Sequence, residues 1–222
     1  MLSVFTALGL RYAGYLAVSL VIGMIAREYA RAFVTAKLGD PTPRLWGRLS
    51  LNPRQWFDPF GSGLLPALIL VLWASGSGFQ PPPFAYGKPA ALDANYLRRG
   101  DRDILIASLA GPLANLVLGT LGGLVRQIDL GAEAFLVANA FVLTNISLFV
   151  FHLMPVPGLD GARIIARFLP IRARTVYTNL DQYLVLFILA IVFLLGAPLL
   201  SIVDGLTNAI CGVVAGGPCR PS

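Results

Sequence analysis

The chain has 222 residues, of which 56% are hydrophobic and 13% charged, and its mean hydropathy is +0.73. This balance excludes an ordinary soluble domain and indicates a membrane protein. The net charge of +6 does not indicate nucleic-acid binding, because the basic residues flank apolar runs and form no tract interleaved with aromatic residues.

The apolar runs predict the membrane-embedded elements. Four runs approach or exceed the roughly 20 residues that cross a bilayer as a helix. They are residues 5–26, 104–125, 133–154 and 183–203. A fifth run, 61–78, is shorter and is interrupted by glycine and proline, so we expect it to enter the membrane and return. Residues 42–59 predict a membrane-surface loop or a short two-stranded β element.

The predicted fold is therefore an all-α polytopic membrane protein with about four full spans, a re-entrant segment and a short membrane-surface β element. We expect one membrane-embedded domain over residues 1–205, followed by a C-terminal tail, 206–222. The tail contains both cysteines, Cys211 and Cys219. The sequence leaves open whether they form a disulfide, which requires that the tail faces an oxidising compartment.

The distribution of basic residues predicts the topology. If 61–78 returns to the side from which it entered, 14 of the 17 lysines and arginines lie on one side of the membrane. If 61–78 crosses, the division becomes 8 against 9. The positive-inside rule favours the first arrangement. It places both termini outside and the basic loops in the cytoplasm, where the loop 163–174 is expected to contact anionic headgroups.

The end of the first run carries an unusual motif, Arg-Glu-x-x-Arg. Arg27 and Arg31 are four residues apart on one helix face, with Glu28 beside them. The same spacing occurs in the zinc motif His-Glu-x-x-His, in which two histidines bind the metal and the glutamate acts as the base. Arginine stays protonated and offers no lone pair, so it cannot replace histidine as a zinc ligand.

Six further segments occur in a set order along the chain. They are LGDPT at 38–42, GRLSLNP at 47–53, DPFG at 58–61, AYGKP at 85–89, SLAGPLAN at 108–115 and LMPVPGLDG at 153–161. Together they resemble the site-2 protease family of intramembrane zinc metalloproteases, in its compact bacterial form, over about residues 20–175. The resemblance implies a location in the bacterial plasma (inner) membrane.

The resemblance assigns roles to residues of the motif. It places zinc ligands at positions 27, 31 and 160, and the general base at Glu28. Asp160 and Glu28 are retained, but two of the three ligand positions hold arginine. His152, the chain's one histidine, stands where family members usually carry asparagine. We expect Arg27 and Arg31 to form an ion cluster with Glu28 and Asp160 in place of the metal.

Two alternatives for these residues stay open. The arginines could be interfacial side chains that extend toward the headgroups. His152 could be a core histidine bonded to backbone, or it could form a relocated metal site with Glu28 and Asp160. The remaining residues expected in the core or cavity are Gly111, Pro112, Asn115, Pro155, Pro157 and Gly161.

These observations predict a proteolytically inactive member that binds or scaffolds a transmembrane protein partner among the membrane lipids. No cofactor is expected. The alternatives are an active intramembrane protease with an atypical metal site, in which case zinc is required, and a structural subunit of a larger membrane complex. The sequence does not indicate the partner, a substrate or the oligomeric state.

Overall fold

The computed structural model describes residues 7–75, 80–88, 92–193 and 196–220. This part of the chain is mostly helical and contains no strand, so the predicted all-α membrane fold is confirmed. In chain order, the α-helices are α1 (Ala7–Lys37), α2 (Thr42–Leu45), α3 (Leu65–Ala74), α4 (Asp101–Arg126), α5 (Ala132–His152), α6 (Asp160–Ala166), α7 (Ile171–Asn179), α8 (Leu184–Phe193) and α9 (Gly196–Ala215).

Helices α1, α4 and α5 form the frame of the molecule. They pack against one another, and they are the three helices in the described residues that are long and apolar enough to cross a membrane. The predicted fourth span, 183–203, falls on α8 and α9, but residues 194 and 195 between them lie outside the described ranges. The number of spans therefore stays a prediction.

Small residues let the three frame helices approach closely. A Cβ atom on Gly23 of α1 would lie 2.9 Å from the side chains of Asn145 and Leu148 on α5. A Cβ atom on Gly119 of α4 would lie 2.5 Å from Ile146 Cδ1. Membrane helices associate largely through such close packing, because lipid provides no hydrophobic driving force between them. The two glycines thus let α5 pack closely against both α1 and α4.

The segment before α4 enters the frame and returns to the same end. One wide helical turn, Pro59–Leu64, leads into α3. The chain then comes back extended, and the Tyr86 amide donates to the Gly61 carbonyl at 3.1 Å. The Lys88 amide donates to the Trp56 carbonyl at 2.9 Å, so the entry and exit points are adjacent. This is the geometry of a re-entrant hairpin.

The returning segment of this hairpin, residues 81–87, has no regular secondary structure, yet all of its residues are buried. Irregular backbone is tolerated at membrane depth only where protein or water covers it. Protein covers it here. The Trp73 indole donates to the Pro81 carbonyl at 2.9 Å, and the Phe84 ring stacks on Phe151 with centroids 4.5 Å apart.

The prediction of a β element within 42–59 is wrong. This segment instead contains α2 and a 3-10 turn, Pro53–Gln55. The Asn52 side chain caps the turn by accepting from the Arg54 amide at 3.0 Å. Four prolines lie between residues 41 and 59. Proline has no N–H to donate to a strand ladder, but it is well suited to the first turn of a helix.

Helix α9 runs across the predicted boundary between the membrane-embedded domain, 1–205, and the tail, 206–222. Cys211 and Cys219 form a disulfide with their Cα atoms 5.7 Å apart. The Asn139 side chain of α5 donates to the Cys219 carbonyl at 3.1 Å, and Arg126 of α4 donates to the Pro218 carbonyl at 3.1 Å. The last described residues therefore pack against the frame.

Candidate functional site

The motif residues of α1 all lie on a buried part of the helix. Arg27, Glu28 and Arg31 are 3%, 1% and 4% exposed. The four-residue spacing brings both guanidiniums to one face, and Glu28 is adjacent to that face. These are not interfacial side chains extended toward headgroups, so the buried arginines require partners within the protein.

Asp160 lies beside Arg27 and Arg31, although it is 133 and 129 residues away from them in the sequence. It is the first residue of α6 and is 0% exposed. The turn that delivers it depends on Gly161, because a Cβ atom there would lie 2.2 Å from the Leu153 carbonyl oxygen. Only glycine lets α6 begin so close to the end of α5. The loop from α5 to α6 therefore points the Asp160 carboxylate at α1.

The four charged residues form a closed ring of ion pairs, here called the ion ring: Arg27, Glu28, Arg31 and Asp160. Arg27 donates through its two terminal nitrogens to Glu28 and to Asp160. Arg31 donates to Asp160 Oδ1 at 2.7 Å and to Glu28 Oε2 at 3.0 Å. Each guanidinium thus bridges both carboxylates, and each carboxylate accepts from both arginines.

The ion ring is electrically balanced. Its two guanidiniums and two carboxylates have no net charge, which offsets the cost of removing four charges from water. Burial raises the pKa of Asp160, but the positive charges of Arg27 and Arg31 outweigh burial and hold that pKa below its usual range. Asp160 therefore stays ionised at neutral pH.

The residues of the ring do not fit a zinc ion. Zinc requires deprotonated sulfur, oxygen or imidazole ligands, whereas Arg27 and Arg31 carry protons on every guanidinium nitrogen. Both carboxylates that could serve as ligands accept hydrogen bonds from these arginines. Within the described ranges, no group of three or more His, Cys, Asp or Glu side chains is placed to hold a metal.

His152 lies at the end of α5 and is 1% exposed. Its ring meets the Phe151 ring edge-on, with centroids 5.1 Å apart. Neither ring nitrogen has a hydrogen-bond partner among the described residues, so the expected bond to backbone is not observed there. His152, Glu28 and Asp160 are likewise not assembled into a metal-binding group in this part of the chain.

The other residues expected in the core or cavity are buried, with the exception of Pro155. A Cβ atom on Gly111 of α4 would lie 2.9 Å from Arg27 Cγ, so this glycine makes room for the arginine. Asn115 is 0% exposed, and its amide has no partner among the described residues. Pro112, Pro157 and Gly161 are buried, whereas Pro155 is exposed and its carbonyl accepts from Tyr177 at 2.6 Å.

A third arginine near the ring, Arg48, was not identified from the sequence. It is 8% exposed, its guanidinium lies 5.3 Å from the Trp56 ring centroid, and it donates to the Gln55 carbonyl at 2.5 Å. Burial lowers the pKa of Arg48, and the charge of Glu28 opposes that effect. The alternation of arginine and apolar residues over 44–54 indicated a surface loop and did not show that one arginine turns inward.

Comparison with known proteins gives matches to curated relatives alone. No family model and no solved structure matches the chain. A Bacillus subtilis (strain 168) protein named "Putative zinc metalloprotease YwhC" is 30% identical over 181 residues, which are 76% of this chain and 75% of the relative. The chain belongs to the site-2 protease family of zinc metalloproteases.

Two mycobacterial relatives agree with this assignment, and both are named "Putative zinc metalloprotease Rip2". One, from Mycolicibacterium smegmatis (strain ATCC 700084 / mc(2)155), is 34% identical over 64% of this chain and 52% of its own length. The other, from Mycobacterium tuberculosis (strain ATCC 25618 / H37Rv), is 28% identical over 82% of this chain and 69% of its own length. The family resemblance predicted from the ordered motifs is confirmed.

Proposed function

We propose that this chain is a proteolytically silent member of the site-2 protease family that binds a transmembrane partner. The observation that carries the proposal is the ion ring. Its two arginines stand where the family resemblance places zinc ligands, and they engage both Glu28 and Asp160. The family frame is kept while the metal chemistry is replaced by ion pairing.

The chemistry of the ring argues against hydrolysis. In zinc proteases the metal lowers the pKa of the attacking water to about 7 and polarises the scissile carbonyl. The ring supplies no Lewis acid. Glu28, at the position of the family's base, accepts one hydrogen bond from an arginine at each of its carboxylate oxygens. Both oxygens are therefore held by guanidinium donors and are poorly placed to take a proton from water.

An exposed apolar stripe on α4 supports a binding role. Leu113, Val117 and Leu121 of α4 are 47%, 57% and 54% exposed and recur every four residues. They form an apolar stripe along one of the frame helices, of the kind that packs against lipid or another transmembrane helix. The proposed partner is therefore an apolar transmembrane segment, which the chain holds without cutting.

Substitution of the base position separates binding from cleavage. Tagged wild-type chain and Glu28→Gln would be captured in mild detergent, and the lengths of the captured membrane proteins compared. We expect both to retain the same partner at full length, because Glu28 takes no part in hydrolysis. A melting curve for each protein is the control for folding.

An active protease gives a different pattern. Wild type would release or retain a shortened partner, whereas Glu28→Gln would accumulate the full-length form. That result would overturn the proposal and return the chain to the proteases.

A further inference from the structure

An apolar groove lies between α1 and α3, and none of the four residues of the ion ring lines it. It has a volume of about 320 Å³. Its walls include Ala17, Leu20 and Met24 from α1, and Pro66, Ala67 and Leu70 from α3. We refer to it as the lateral groove. From Ala17 to Ile25, the α1 wall is about 12 Å long at 1.5 Å per residue.

The lateral groove is suited to hydrocarbon. Ser62 is the one hydroxyl-bearing residue in its lining, and the hydroxyl donates to the Tyr86 carbonyl at 2.7 Å. The Trp56 indole donates to the Ser50 carbonyl at 3.1 Å. Both polar groups of the wall are therefore engaged within the protein, and a bound molecule meets apolar surface.

Two apolar occupants suit this lining: an acyl chain, and the side of a transmembrane helix. The charges at one end of the groove distinguish them, because a phospholipid carries a charged headgroup next to its acyl chains, whereas an apolar helix does not.

Three basic residues adjoin groove-lining residues at the end where Trp56 and Phe57 line the groove. The Arg48 guanidinium lies over the Trp56 ring, Arg54 directly follows the lining residue Pro53 and is exposed, and the exposed Lys88 donates its amide to the Trp56 carbonyl. The nearby carboxylate of Asp58 caps two amides of the following turn. Glu28, whose charge also acts on Arg48, is already paired with Arg27 and Arg31. The excess of cations therefore favours an anionic headgroup, and tryptophan is typical of the headgroup level.

We propose that the lateral groove is a binding site for an anionic phospholipid, with one acyl chain between α1 and α3 and the phosphate among Arg48, Arg54 and Lys88. The site uses none of the four residues of the ion ring. The proposal therefore stands or falls independently of the metal chemistry and of any protein partner.

Chain-brominated lipids test the site directly, because bromine quenches the fluorescence of a nearby tryptophan. The full chain would be placed in phosphatidylcholine bilayers that contain an equal small fraction of brominated phosphatidylglycerol or brominated phosphatidylcholine. The quenching at Trp56 is the part lost in Trp56→Phe. We expect the anionic lipid to quench it about fivefold more effectively, a ratio that corresponds to about 1 kcal/mol in total, which is the contribution of one basic side chain at the membrane surface.

Two pairs of variants locate the site. Ala67→Phe fills the groove and should abolish the anionic preference, whereas Leu68→Phe, one residue on and outside the lining, should leave it unchanged. Arg54→Gln should reduce the preference, and Arg44→Gln, equally exposed in the same surface segment, should not. Both pairs are compared by total tryptophan quenching in protein that keeps Trp56, so this comparison does not depend on the folding of Trp56→Phe.

Equal quenching by the two lipids in wild type would overturn the proposal. So would an anionic preference that survives Ala67→Phe, because the lipid would then bind the basic surface without entering the groove.

Discussion

At the scale of single residues, the main feature is that two arginines stand at positions which the family resemblance assigns to zinc ligands. A zinc ion would bring two positive charges to a site with two carboxylates, and Arg27 and Arg31 bring the same charge in a form that cannot coordinate water as a Lewis acid. Each guanidinium is planar and can meet two carboxylates at once. The ring ties α1 to α6 across more than 120 residues of sequence through the contacts of Arg27 and Arg31 with Asp160.

Removal of one ring member should cost far more than removal of an exposed arginine. We expect Arg31→Met to lower the free energy of unfolding by about 3–5 kcal/mol, because it leaves a buried carboxylate uncompensated. Arg44→Met, at an exposed position, should cost less than about 1 kcal/mol. Denaturant unfolding in detergent measures both.

The double variant Arg31→Met with Glu28→Gln extends this test. It removes one charge of each sign, so its cost should be smaller than the sum of the two single variants. Additive costs would show that Glu28 and Arg31 do not interact in the folded protein.

The ring also predicts how stability depends on pH. The pKa of Asp160 is lower in the folded chain than in the unfolded chain, where it is near 3.9. Its contribution to stability is therefore fully present above about pH 5 and is lost as the pH falls through the folded-state pKa. Thermal unfolding between pH 7 and pH 3 should show a loss of stability in wild type that is clearly smaller in Asp160→Asn. Parallel curves would contradict the assignment.

At the scale of elements, the close approach of α6 to the end of α5 depends on one glycine. A Cβ atom on Gly161 would lie 2.2 Å from the Leu153 carbonyl oxygen and 2.4 Å from the Met154 carbonyl oxygen. Both neighbours are backbone, so no side-chain rotation relieves the contact. The geometry of the ring is therefore set partly by a residue that carries no charge.

Gly161→Ala should destabilise the protein by about 1–3 kcal/mol, as overpacking of a tight contact does. The matched control is Gly205→Ala on α9, where a Cβ atom would have nothing within 4 Å. That variant should be neutral or slightly stabilising, because alanine is the better helix former by about 1 kcal/mol. A comparison of melting temperatures in detergent measures both, and equal temperatures would contradict the role of Gly161.

Several elements followed from sequence and others did not. Hydropathy predicted the frame helices, and glycine and proline within 61–78 predicted a segment that enters and returns. The prediction of a β element over 42–59 was wrong. Apolar residues alternate along this segment, but its prolines cannot donate to a strand ladder. The inward turn of Arg48 depends on the tertiary position of Trp56, and no local pattern encodes it.

For the site, sequence alone placed Arg27, Glu28 and Arg31 together by helical spacing. Asp160 lies 129 residues beyond Arg31, so only the family resemblance connected it to them. The ring arrangement itself depends on the loop after α5 and on Gly161. His152 shows the opposite case, because its type suggested a hydrogen bond that is not observed among the described residues.

At the scale of the whole molecule, the orientation in the membrane stays a prediction. Arg11 pairs with Glu133 near the start of α5, Arg126 ends α4, and Arg220 pairs with Asp204 and lies 5.0 Å from the Trp73 ring centroid. The three arginines that the topology places outside thus lie toward one end of the frame. The ion ring and the basic loops lie toward the other.

Reporter tags test this orientation. A tag after Ser222 should report the outside, and a tag inserted between Arg167 and Arg172 should report the cytoplasm. A proteolysis-protected tag at both sites, or the reverse pattern, would contradict the predicted topology and with it the re-entrant course of 61–78.

The most direct test of the central claim, that ion pairs replace the metal, is the zinc content of the purified protein. Wild type and Asp160→Ala should both contain less than about a tenth of an equivalent. The double variant Arg27→His with Arg31→His should gain zinc, because it restores two imidazole ligands beside Asp160. Near one equivalent in wild type that is lost in Asp160→Ala would contradict the account, because it would show a working metal site despite the arginines.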